Sequence, residues 1–130
     1  MSGTTTLRID LSSEVPAYRQ IVDGLRVLLV SGKLEPGAAL PSVRRMAVDL
    51  GVHFNTVAEA YRTLAEEGWL ELRHGSGARV IERSAPSPAG AAQVQEFRRR
   101  LRSLLAEMRS QGATAAKLRA ELRAAADELQ

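Results

Sequence analysis

The sequence has no cysteine, only two histidines and five aromatic residues in 130. Without cysteine there is no disulfide, no thiolate metal site and no thiol nucleophile, and an intracellular, cytoplasmic setting is expected. The two histidines, His53 and His74, are too few and too far apart to suggest a metal cluster. No paired carboxylates stand out, and no serine has a base and an orienting partner at a recognisable spacing. Catalysis, a cofactor and a metal are therefore not expected. No apolar run approaches the roughly 20 residues of a membrane span. The opening "MSGTTTLRID" lacks the basic patch and apolar core of a signal peptide. A strong charge of one sign is also missing. Net charge is +3, and residues 1–85 balance ten Arg/Lys against ten Asp/Glu, so the excess lies in residues 86–130. Bulk charge alone thus argues little about a nucleic-acid partner, and position has to carry that argument.

What is present divides at "RSAPSPAG", Arg83 to Gly90, whose prolines and small residues read as a linker. The expected organisation is residues 1–83 as one α+β domain, 84–90 as linker, and 91–130 as a two-helix, all-α tail. In the first part "LRIDL" alternates like a short strand. Tyr18, Ile21, Val22, Leu25, Leu28 and Leu29 recur at helical spacing behind Pro16, which suits a first turn. Gly24 inside that helix costs roughly 1 kcal/mol against alanine, and close packing on a neighbour is the simplest reason for it. "EPGAALP" reads as a loop. Ser42 can cap a helix from Val43 to Leu50, ended by Gly51. A second helix starts near His53 and runs to about Glu67, with Val52 and Val57 at staple positions. "WLELR" and "ARVIE" then read as two strands of a hairpin joined through "HGSG".

The pair of helices around Gly51 meets the requirements of a helix-turn-helix. Ala47 is small where the helices cross. Gly51, four residues on, tolerates the turn, and Val57, six further, tucks the second helix against the first. Followed by a hairpin, this is the order of a winged helix-turn-helix, whose second helix enters the major groove while the wing meets backbone or minor groove. The tail places Val94, Phe97, Leu101, Leu104 and Met108 on a heptad seam. Leu118, Leu122 and Leu129 share a side of a second helix. Two helices of about 18–20 residues forming a hairpin have too little interior to fold alone, so a second copy is the simplest partner.

"G.L.PG..LPS.R.+A..LGV..NTV..AY..L...G.+....G.G..V", spanning Pro16 to about Val80, resembles the GntR family of bacterial transcription regulators. "LPSVR", "NTVAEAY" and the short tail look most like its YtrA-like subfamily. The resemblance implies a homodimeric repressor, paired through the tail, that binds an inverted-repeat operator in double-stranded DNA. Ser42 and Arg44 match the family's "PS.R", whose arginine contacts DNA in relatives. Arg45 points about 100° away and reads as a surface charge or a phosphate contact. Asn55 and Thr56 match the "NT" that opens the recognition helix, although capping competes for Asn55 and His53. His53 and Phe54 depart from the usual polar residue and proline. Phe54 either meets a thymine methyl or is buried against Val52 or the wing. Ala58 stands where other branches carry a reading arginine, so modest base readout is expected, with more affinity from Arg44, the helix dipole, the wing and DNA shape.

Tyr61 and Trp69 read as core, and Glu59, Glu66 and Glu67 as a solvated face. Arg98, Arg99 and Arg100 read first as a solvated face and second as interhelical partners of Glu96 or Glu107. In "RHGSG", Arg73, His74, Gly75, Ser76 and Gly77 are expected at the wing tip, facing DNA. No lysine and no helix follow, so a nucleotide phosphate loop is excluded. A small-molecule effector is conceivable at a dimer interface or between tail and first domain. A different class of function also fits: a winged-helix protein-interaction module with a scaffold tail that does not read DNA.

Overall fold

The computed structural model describes residues 7–74, 77–83 and 88–129. The chain divides into two compact units, Met1–Ser84 and Ala85–Leu129. In the first, α1 (Ala17–Val30), β1 (Ala39–Leu40), α2 (Val43–Leu50), α3 (Phe54–Glu66), β2 (Leu70–Arg73) and β3 (Gly77–Val80) follow in order. In the second, α4 (Ala91–Ser110) is followed by α5 (Ala115–Asp127). No helix among the described residues is long and apolar enough to cross a membrane.

The core forms where the helical stripes meet. Ile21, Val22, Leu25 and Leu29 of α1 and Val57, Ala60, Tyr61 and Leu64 of α3 are buried together with Met46 and Ala47 of α2. Each fully buried aliphatic or aromatic side chain here contributes roughly 1.5–3 kcal/mol relative to exposure. Gly24 is explained by packing: a Cβ at that position would run into Leu7 Cδ1. The turn between α2 and α3 is made by Gly51, whose φ of 72° lies in the left-handed region and whose N–H reaches Ala47 O at 2.9 Å. That region is costly for a residue with a Cβ, so the motif's short turn depends on glycine.

Three expectations for this unit are corrected. "LRIDL" is not a strand. Asp10 Oδ1 accepts from Ser12 N–H and O–H, and Gln20 exchanges hydrogen bonds with the Asp10 backbone. These local bonds turn the chain before it can pair. Second, "EPGAALP" contains β1, which the loop reading missed. Ala39 pairs with Arg79 and Leu40 with Ala78, giving an antiparallel sheet of order β1-β3-β2 with β3 in the middle. Two residues show no alternation, so only the partner strand reveals them. Third, Glu67 is not part of a free solvated face. Its carboxylate receives Arg26 of α1 through Nε at 3.2 Å and Nη2 at 2.7 Å, and its carbonyl accepts Arg83 Nε at 2.9 Å. The Arg83 guanidinium lies 4.5 Å above the Trp69 ring, so the end of α3 is tied to both α1 and the segment after β3.

The tail's second helix is shorter than the roughly 18–20 residues expected. α4 has 20 residues but α5 only 13, six of them alanine. Neither helix has a fully buried residue. The alanines give α5 high helix propensity but little apolar surface to bury. Of the seam, Leu101, Met108 and Leu118 are half-buried, as is Leu105, which the heptad reading left out. Val94, Phe97, Leu104, Leu122 and Leu129 are exposed. Arg99 and Arg100 are neither free nor interhelical: both pair with Glu96 within α4, Arg99 through Nη2 at 2.7 Å and Arg100 through Nε at 2.9 Å.

Candidate nucleic-acid interface

The start of α2 carries a local conflict. Ser42 caps it by accepting Arg45 N–H at 3.1 Å, and the first turn then holds two arginines and no acid. Cations at a helix N-terminus oppose the macrodipole, at roughly 0.3–1 kcal/mol each. Arg45 is compensated by Asp49 one turn later, at 3.2 Å. Arg44 is exposed and makes no hydrogen bond or ion pair with another described residue. A charge placed against the local field and left unpaired is what a site for an external anion requires.

At the start of α3 the competition for the cap is resolved. His53 Nδ1 accepts Asn55 N–H at 3.1 Å, which leaves a neutral ring's proton on Nε2. The Asn55 amide is thereby left exposed and without a described partner. Phe54 is 47% exposed and stacks on His53 with ring centroids 5.2 Å apart. It is therefore not buried against Val52; the flat pair is presented at the tip of the helix. Thr56 is half-buried in the first turn.

The wing faces the same side. Arg73 pairs with Gly77 across β2 and β3, and His74 begins the connection. Gly75 and Ser76 lie outside the described residues. The Arg73 guanidinium is engaged by Glu71 at 3.3 Å, which weakens its attraction for an outside anion. Tyr61 holds the base of the arrangement. It is 1% exposed, donates its hydroxyl to Pro41 O at 2.8 Å, and burial pushes its phenol pKa up.

Between α2, α3 and the wing lies an open cleft of about 470 Å³. Ser42, Arg44 and Phe54 line it together with Arg73, His74 and Gly77, so six of the residues singled out from sequence converge on one surface. Arg45, His53, Asn55 and Thr56 are not among its lining residues; His53 and Asn55 are exposed beside it at the helix start. Sequence reasoning missed Arg62 and Leu72 as lining residues. The signal for Arg62 was present, because it stands eight residues after Phe54 on the same stripe of α3. Leu72 was hidden by alternation, which marks it as core although it is 47% exposed. Among the described residues no group of three or more metal-type side chains occurs.

Comparison with known proteins gives the family and the fold. The profile "Bacterial regulatory proteins, gntR family" matches residues 17–80. The chain is 45% identical over 71 residues to the probable rhizopine catabolism regulatory protein MocR of Rhizobium meliloti, covering 55% of this chain and 14% of that protein. It is 38% identical over 76 residues to the HTH-type transcriptional repressor YtrA of Bacillus subtilis, covering 58% of each. The chain thus spans less than two thirds of both proteins. Among solved structures, YtrA from Sulfolobus acidocaldarius, a GntR-family transcription factor, superposes with a TM-score of 0.55 at 32% identity, covering 80% of this chain and 97% of that one. All three are named as regulators. The chain belongs to the gntR family of bacterial regulatory proteins, and its first unit is a winged helix-turn-helix DNA-binding domain of that family.

Proposed function

We propose that this protein is a cytoplasmic, homodimeric repressor that binds an inverted-repeat operator. The observation that carries the reading is Arg44, an unpaired cation set against its own helix dipole on the rim of the cleft between α3 and the wing. In this reading α3 enters the major groove with the His53–Phe54 stack and the Asn55 amide toward base edges. Ser42 keeps its hydroxyl proton available for a phosphate while its oxygen caps α2. Arg45 is held by Asp49 and adds at most a diffuse charge. Thr56 reaches a phosphate at the start of α3. His74 and the tip residues Gly75, Ser76 and Gly77 follow the backbone or minor groove, with Arg73 close by.

Direct base readout rests on few groups, because α3 has no cation before Arg62. Phosphate contact and DNA shape therefore carry much of the affinity. The tail pairs two such units, so the operator has two half-sites related by a two-fold axis. Binding over a promoter then blocks polymerase.

Selection of duplexes from a random pool, followed by titration of the selected duplex at two salt concentrations, tests this. A recurring inverted repeat is expected, with affinity falling steeply as salt rises. A pool from which no duplex is enriched rejects the reading and leaves a protein-interaction module.

A further inference from the structure

Arg62 lies in α3 two turns beyond Phe54, on the stripe Phe54–Ala58–Arg62 that lines the cleft. Glu59 stands three residues before it and Glu66 four after, the spacings at which arginines pair along a helix. Elsewhere this chain uses those spacings: Arg45 with Asp49, Arg99 and Arg100 with Glu96, Lys117 with Glu121. Arg62 makes neither pair. It is exposed, has no hydrogen bond or ion pair with another described residue, and turns to the cleft. Among the described residues, the only other cleft arginine without a partner is Arg44, from a different helix.

We propose that Arg62 and Arg44 form a two-helix clamp on the phosphodiester backbone of bound DNA, with Arg62 a sequence-independent anchor. The inference rests on the DNA-binding reading above. Eight residues of helix advance about 12 Å, which matches the width of the major groove at about 12 Å. With Phe54 at the base edges, Arg62 then stands at the strand that walls the groove. Ala58 between them is small enough to leave the stripe open. The cleft is open to solvent, as a continuous strand requires, and its two unpaired cations suit a phosphate chain. The acidic neighbours Glu59 and Glu66 remain free of Arg62, so the guanidinium is not neutralised before DNA arrives.

The test compares full-length wild type, Arg62→Gln and Arg62→Lys on the selected operator and on a random duplex of equal length, each over a salt series. Arg62→Gln should weaken both duplexes by the same factor, roughly tenfold per protomer. It should also lower the slope of log affinity against log salt by about 1 per protomer, and Arg62→Lys should restore most of that slope. The unfolding midpoint should stay unchanged, because no described contact is lost. Unchanged affinity and slope overturn the clamp. A loss confined to the operator also overturns it, because Arg62 is then a base reader. If wild type itself enriches no duplex, the DNA reading fails first, and that result is visible before any variant is made.

Discussion

Two glycines with nearly the same backbone angle play different parts. Gly37 and Gly77 have φ of 95° and 87°, both unfavourable for a residue with a Cβ. A Cβ on Gly37 would meet nothing within 4 Å, whereas one on Gly77 would lie 2.9 Å from both Leu40 O and Pro41 O. Those carbonyls belong to β1 and its exit, and Pro41 O already accepts the Tyr61 hydroxyl. Gly77→Ala should therefore cost roughly 2–4 kcal/mol, from left-handed strain plus overpacking, and Gly37→Ala only about 1–2 kcal/mol. Urea unfolding of the two variants side by side checks this; equal losses would show that the close approach is absorbed. Arg44 makes the opposite kind of prediction. Arg44→Ala should weaken operator binding by roughly 1–3 kcal/mol. It should leave stability unchanged or raise it by about 0.3 kcal/mol, because a cation is removed from a helix N-terminus. A variant that loses stability along with DNA binding would mean that Arg44 holds the fold and not the ligand.

Among the elements, α4 has a pH response that can be worked out. Hydrogen bonds from Arg99 and then Arg100 hold the Glu96 carboxyl at about 2, against an ordinary value of 4.5. The unfolded helix therefore takes up this proton before the folded one does. The stabilisation is complete above pH 4.5 and is lost as pH falls toward 2. Circular dichroism should show the tail losing helix across that window, and Glu96→Gln should flatten the change; an identical profile for the two proteins would show that other carboxylates govern it. The same elements show where sequence reading works. α2, Gly51 and α3 were legible because capping and turn chemistry act between residues two to four apart. β1 was not, since two residues form a strand only against β3. "LRIDL" had the right alternation, but the bonds of Asp10 to Ser12 and Gln20 turn the chain there. Arg26 and Glu67 are 41 residues apart, so their ion pair appears only after α1 and α3 have packed. In the candidate site the motif positions were readable. Arg62 stood on a readable stripe, but the two pairings it fails to make appear only in the structure.

For the molecule as a whole, the decisive fact is that neither helix of the second unit has a fully buried residue. Helices whose best-covered apolar residues are only half-buried have little apolar burial to offset the entropy of ordering them. Phe97, 64% exposed, and Leu101 lie on a stripe with Val94, Leu104 and Met108 along α4, and a second α4 could bury that stripe at heptad spacing. Dimerisation would then fix two recognition helices on one duplex, so the second half-site is met at high effective concentration. Phe97→Asp and Leu101→Asp place a charge on that stripe, at an exposed and a half-buried position respectively. Both should sediment as monomers. Their affinity for the full inverted repeat should fall by about 10²- to 10⁴-fold, while affinity for a single half-site stays as in wild type. A dimer that persists in both variants would put the interface off α4. A monomer that still binds the full repeat at wild-type strength would show that the two half-sites are occupied independently, and the inverted repeat would no longer imply a paired protein.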